Sequence, residues 1–169
     1  MKKTFTFCTF LFVSLLVLAQ NPCPQVIPAL QQWTGGKGTL ALPAQGSIVI
    51  NTADKDVLYD AATILAQDLK ELLGWEYAIR IGKAKNNEIN LSLSKPDEQL
   101  GEEGYVLRIA NRVNVEAPTA KGVFWGTRTL LQMLYHQKAK LAKGTTRDWP
   151  EFPNRGFMLD VGRKFFTLD

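Results

Sequence analysis

Two apolar stripes at helical spacing, with a run of short alternating segments between them, constrain this chain more than any other feature. Val57, Leu58, Ala61, Ile64, Leu65, Leu69, Leu72 and Leu73 recur three and four residues apart and predict one helix. It opens at Asp54, where acids suit the positive end of the helix dipole, and closes before Gly74, a residue suited to the left-handed cap. Val123, Phe124, Thr127, Leu130, Leu131 and Leu134 share one face of a second helix over 119–137. Gly122 and Gly126 lie inside it, each costing about 1 kcal/mol relative to alanine. Close backbone approach to a sheet would explain both, and simple tolerance near the helix start serves equally well for Gly122.

The segment 47–51 (SIVIN) is a short β-branched strand ahead of the first helix. Residues 77–81 and 88–94 alternate, and 104–109 places Tyr105, Leu107 and Ile109 on one face. Asn111 and Arg112 then turn the chain into Val113 and Val115, so 104–117 reads as a hairpin. The order β-α-β-β-β-β-α predicts an α/β (α+β) fold: a mixed β-sheet of four or five strands with two helices packed on one face. The proline-rich lead over 21–28 reads as an extended linker and Thr34–Gly38 as a turn. That turn lacks the spacing of a phosphate-binding loop.

The ends read differently from the middle. Lys2 and Lys3 precede an apolar run over 4–18, and Val17-Leu18-Ala19 fits a small-residue cleavage rule, so 1–19 reads as a signal peptide. A run of that length falls short of the ~20 residues of a spanning helix. The expectation is an exported protein, periplasmic or extracellular, with no membrane attachment after cleavage. A lipid anchor at Cys23 fits poorly with the preceding Asn21 and Pro22. With Cys8 in the signal, Cys23 stands alone, which excludes an internal disulfide. Setting Lys2 and Lys3 aside reduces the formal charge from +4 to +2, with no basic run suited to nucleic acid. One histidine, His136, supplies neither a triad nor a zinc site. No cofactor and no metal are expected.

The C-terminal stretch carries the functional signal. Asp148-Trp149-Pro150-Glu151-Phe152-Pro153 is an extended connector, and it leads into Arg155-Gly156-Phe157-Met158-Leu159-Asp160-Val161-Gly162-Arg163-Lys164-Phe165-Phe166. This run resembles the opening of the catalytic domain of glycoside hydrolase family 20, the β-N-acetylhexosaminidases, with its pattern D-x-P-x-F-x-x-R-G-x-x-L-D-x-S-R-H-F. Residues 122–134 (GVFWGTRTLLQML) and 104–107 (GYVL) resemble the helix and strand that precede that opening in the family. The departures are Gly162 for serine and Lys164 for histidine; the second leaves the contact made by that histidine without its usual side chain.

The resemblance implies three parts: the signal at 1–19, a non-catalytic α/β domain at 20–150, and the first strand of a (β/α)8 barrel at 151–169, truncated here. It implies that Arg163 grips hydroxyls of the terminal sugar, because a guanidinium fork matches vicinal hydroxyls and barrel sites lie at the C-terminal ends of strands. Arg155 and Asp160 are implied to be structural, although Asp160 could instead orient Arg163. The implied reaction is removal of a terminal β-linked N-acetylglucosamine or N-acetylgalactosamine from a glycan. The substrate's acetamido oxygen attacks the anomeric carbon, an aspartate orients it, and the adjacent glutamate is the acid/base. That Asp-Glu pair is expected downstream; Asp97-Glu98 sits in a proline-containing loop and is rejected.

The tryptophans Trp33, Trp75, Trp125 and Trp149 could stack on sugars. Trp125 alternates with its helix stripe and reads as a packing residue, Trp149 reads as packed at the junction, and Trp75 as partly exposed. Asn90-Leu91-Ser92 matches a glycosylation sequon inside a predicted strand. The alternative reading is a stand-alone carbohydrate-binding or interaction module without hydrolase activity. It calls for an exposed aromatic row and leaves the apolar strand after Arg155 unexplained. A third reading, an accessory domain from another glycosidase family, is opposed by the Arg155-to-Arg163 spacing.

Overall fold

The computed structural model describes residues 20–137, 140–156, 158 and 162. Their strands are β1 (Gln32–Ala41), β2 (Gln45–Ile50), β3 (Glu76–Ile81), β4 (Ile89–Leu93), β5 (Tyr105–Ile109), β6 (Val113–Ala117) and β7 (Lys140–Asp148). Helix α1 (Lys55–Leu73) joins β2 to β3, and α2 (Ala120–Gln137) joins β6 to β7. All seven strands form one sheet in the order β1-β7-β5-β6-β4-β2-β3. The β2–β3, β2–β4 and β4–β6 pairs are parallel, and β5–β6, β5–β7 and β1–β7 are antiparallel.

The predicted mixed sheet and its hairpin over 104–117 are present, but the sheet has seven strands rather than four or five. The two extra strands are β1 and β7, which pair with each other along one side. The segment read as a turn, Thr34–Gly38, lies within β1, where a register shift between Gly35 and Thr39 absorbs it. The proline-rich lead is no free linker. Pro24 and Val26 are buried, and Ile27 exchanges two backbone hydrogen bonds with the Gln132 amide on α2, both 2.9 Å.

Both helices pack against one face of the sheet and against each other. The α1 stripe buries Leu58, Leu65 and Leu69 completely, which stabilises the fold by about 2 kcal/mol for each side chain. Its start is tied to β4, where Leu93 N–H donates to Asp54 Oδ2 at 3.0 Å. Its end closes on Gly74 at φ 70, the left-handed cap expected from the sequence. Not every apolar residue of the stripe faces the sheet: Val57, Ile64 and Leu72 are exposed. In α2 the buried set is Val123, Thr127, Thr129, Leu130, Leu131, Met133 and Leu134, with Gly122 and Gly126. Opposite them lie Tyr105, Leu107 and Ile109 of β5 and Val113, Val115 and Ala117 of β6. Among the described residues no helix is long and apolar enough to cross a membrane.

Candidate functional site

Strand β7 ends at Asp148, beside the start of the connector toward Arg155. A partly buried polar node fixes this exit. The Tyr105 hydroxyl donates to Asp148 Oδ2 at 2.7 Å and lies 2.6 Å from Thr129 Oγ1. Burial, reinforced by the Asp148 charge, pushes the Tyr105 phenol well above its usual range, so it stays a donor at any physiological pH. Asp148 Oδ1 also accepts from Gln31 N–H at 2.9 Å. The Asp148 side chain is thereby held from β5 and from the segment just before β1.

Beyond it, the connector folds back over the start of α2. Glu103, in the loop before β5, pairs with Lys121 at 2.6 Å and with Arg155. Arg155 also donates to Phe152 O at 3.0 Å and lies over the Trp125 ring at 5.9 Å. A shallow cleft of about 350 Å³ runs between this loop and the connector, lined by Leu100, Glu103, Lys121, Trp149, Pro150 and Pro153 among others. The hydrogen bond from Lys121, then that from Arg155, holds the Glu103 carboxyl below its ordinary range.

A carboxylate with a depressed pKa contributes its interaction above the unfolded value and loses it as pH falls through the folded value. The clamp therefore persists through the usual carboxylate range and opens only in stronger acid. Glu103→Gln removes the charge at any pH. It should leave the melting temperature nearly unchanged while limited proteolysis within 149–156 accelerates several-fold; unchanged cleavage would show that the clamp does not hold the connector.

Of the sequence-singled residues, Arg155 is therefore an exposed arginine paired with Glu103. It lies outside any strand. Asp160 and Arg163 lie outside the described residues, as do the signal at 1–19 and most of the expected barrel strand. Trp149 is half-buried and lines the cleft beside the connector. Trp125 corrects the packing expectation: it is 39% exposed on the outer side of α2, edge-on to Phe124 and beneath Arg155. Its position just after Phe124 puts it off the buried face. Glu103 and Lys121 were not singled out from the sequence, and the acid pair Glu102-Glu103 ahead of the Gly104-Tyr105 strand was the available signal.

The arrangement positions a chain segment rather than performing chemistry. Asp97 accepts from Arg147 at 2.6 Å and from the N–H groups of Gln99 and Leu100, and the Arg147 bond leads in holding its carboxyl low. That is the opposite of what a general acid needs. His136 is exposed at the end of α2, edge-on to Tyr135. Asn90 sits within β4 with its Oδ1 buried, a poor glycosylation acceptor. Among the described residues no three His, Cys, Asp or Glu side chains converge as metal ligands.

Comparison with known proteins fits this layout. Residues 23–149 match the family model described as glycosyl hydrolase family 20, domain 2. The chain is 32% identical over 138 residues to a lacto-N-biosidase of Bifidobacterium bifidum, covering 80% of this chain and 12% of that protein. It is 29% identical over 191 aligned positions to a beta-hexosaminidase of Porphyromonas gingivalis, covering 99% of this chain and 24% of that one. Among solved structures, a Streptomyces plicatus beta-hexosaminidase in complex with its product GlcNAc aligns with TM-score 0.64 and 27% identity, over 88% of this chain and 31% of that one. The chain thus spans between an eighth and a third of the length of these proteins. With its sheet, its two helices and its match to the family model over most of its length, the chain belongs to glycosyl hydrolase family 20 and carries that family's domain 2.

Proposed function

We propose that these residues form the front part of an exported exo-β-N-acetylhexosaminidase, periplasmic or extracellular. It removes terminal β-linked N-acetylglucosamine or N-acetylgalactosamine from glycans. The observation that carries the reading is the succession of a family 20 domain 2 at 23–149 and, directly after it, the Arg155-Gly156 to Arg163 run. The names of the similar proteins support it, as does the GlcNAc product bound by one structural neighbour.

On this reading 151–169 opens the catalytic barrel, Arg163 grips hydroxyls of the terminal sugar at the rim of the pocket, and Arg155 and Asp160 are structural. The catalytic Asp-Glu pair lies downstream. The substrate's acetamido oxygen attacks the anomeric carbon as the glutamic acid protonates the departing glycosidic oxygen. The cyclic intermediate is then opened by water deprotonated by the same glutamate. The domain described here supports the barrel; its clamp at Glu103 fixes where the barrel strand departs.

The test of the mechanism uses the barrel-containing protein and two aryl β-glucosaminides, N-acetyl and N-trifluoroacetyl. Fluorine withdraws electron density from the attacking carbonyl oxygen. Hydrolysis of the trifluoroacetyl substrate should fall steeply in kcat, with KM little changed. Equal rates would exclude participation by the substrate's own amide.

A further inference from the structure

We propose that the groove between α1 and the β2–β3 edge is an accessory glycan-binding subsite, built on Trp75 and suited to β-linked N-acetylhexosamine chains. The choice of sugar rests on the proposed hydrolase function; the groove itself rests on its own geometry. It is an open surface groove of about 670 Å³, within the ~300–1,000 Å³ of small-molecule sites. It lies at the opposite end of the sheet order from β1 and β7, away from the connector and its clamp.

Trp75 follows the Gly74 cap and is only partly buried. Its indole stacks on Tyr77, with centroids 6.0 Å apart and planes at 17°. Tyr77 cannot yield: it is buried, its hydroxyl donates to Pro43 O at 2.8 Å, and Gly46 lies so close that a Cβ there would stand 2.7 Å from the ring. The result is a flat aromatic surface with rigid backing. The hydrogens on one face of a β-linked pyranose carry partial positive charge, which the electron-rich face of an indole attracts.

The flanks of the groove are polar, with Gln45, Thr63, Gln67 and Lys70 beside one exposed carboxylate, Glu76. Gln67 donates its amide nitrogen to Glu71 at 2.8 Å, which leaves its carbonyl oxygen as an acceptor. The Thr63 hydroxyl donates to Tyr59 O at 2.9 Å, again leaving lone pairs outward, while Lys70 and Gln45 line the same groove and supply donors. An acetamido group brings one donor and one acceptor, which this mixed lining can pair; the preference over a hydroxyl-only sugar rests on the proposed hydrolase function.

The experiment follows the indole N–H signals of the full 169-residue chain by NMR while chitotetraose is added to about 10 mM, suited to a shallow site of millimolar Kd. The signal missing from a Trp75→Phe spectrum should shift and saturate. Trp75→Ala and Thr63→Arg, which fills the groove from an exposed position, should each weaken binding at least about tenfold. Trp75→Phe should retain binding within a few-fold, and Trp125→Ala should bind as the unmodified chain does. No shift in the unmodified chain, or equal binding by Trp75→Ala and Thr63→Arg, overturns the subsite. Equal binding of cellotetraose overturns the amido-sugar assignment. A barrel-containing protein that hydrolyses aryl glucosaminides while failing these tests refutes the groove alone.

Discussion

Gly126→Val will destabilise the domain by about 3 kcal/mol, a fall in melting temperature of about 6–12 °C for a chain of this size. Helix α2 approaches the sheet most closely through its glycines. A Cβ on Gly126 would stand 2.5 Å from Val115 Cγ1 and 3.1 Å from the Tyr105 ring. Neither neighbour can give way. Val115 is fully buried in a central strand, and the Tyr105 ring is anchored at its hydroxyl by Thr129 and Asp148. Valine adds two methyl groups beyond that Cβ, so the helix must lift and the contacts around Leu130 and Val123 must open. The gain in helix propensity over glycine, under about 1 kcal/mol, does not offset this. Tyr135→Ala, on the exposed side of the same helix, should change stability by less than about 0.5 kcal/mol. Thermal unfolding followed by circular dichroism separates the two; equal melting temperatures for Gly126→Val and the unmodified chain would refute the close approach.

On the proposed function, Arg163→Ala in the barrel-containing protein will lower kcat/KM on an aryl N-acetyl-β-glucosaminide about 10²- to 10³-fold. A guanidinium donates two parallel hydrogen bonds to neighbouring hydroxyls, and each charge-assisted bond is worth ~1.5–3 kcal/mol. Losing both, at the lower end of that range, costs roughly 3–4 kcal/mol of transition-state stabilisation, the free-energy equivalent of that rate loss. Arg163→Lys should recover little, because an ammonium is a point donor without the fork. Far-UV circular dichroism and melting temperature should match the unmodified protein. Full activity in Arg163→Ala would remove this residue from the sugar pocket.

The parts of the fold legible in the sequence are those whose side chains report burial through period. The α1 and α2 stripes, the 104–117 hairpin and the Gly74 cap all fall in this class. Stripe width was legible only in part: Val57, Ile64 and Leu72 are apolar at helical spacing yet exposed, because spacing marks a face and not how far the sheet reaches around it. Strands β1 and β7 carried no such signal. Gly35, Gly36 and Gly38 in β1 argue for a turn, and Lys143, Gly144, Thr145 and Thr146 in β7 are polar or small. What makes them strands is tertiary. They pair with each other, β7 pairs with β5, and Gly144 lies under Trp33 so closely that a Cβ would stand 2.3 Å from Cζ2 of the indole. Asn21 then bridges Gly38 O and Lys143 O with its side-chain amide, at 2.7 and 2.9 Å. None of these partners is near in sequence. At the junction the motif marked Arg155 but not Glu103, because the pairing of loop, helix and connector exists only once α2 is docked.

The most direct test of the central claim is an assay of the purified 169-residue chain on an aryl N-acetyl-β-glucosaminide. On the proposed function the chain holds the supporting domain and the opening of the barrel, with the proton-transferring pair assigned to residues further along the protein. Release of the aryl alcohol should not exceed the enzyme-free blank, whereas the barrel-containing protein turns the substrate over. Turnover by the 169 residues alone would contradict that assignment.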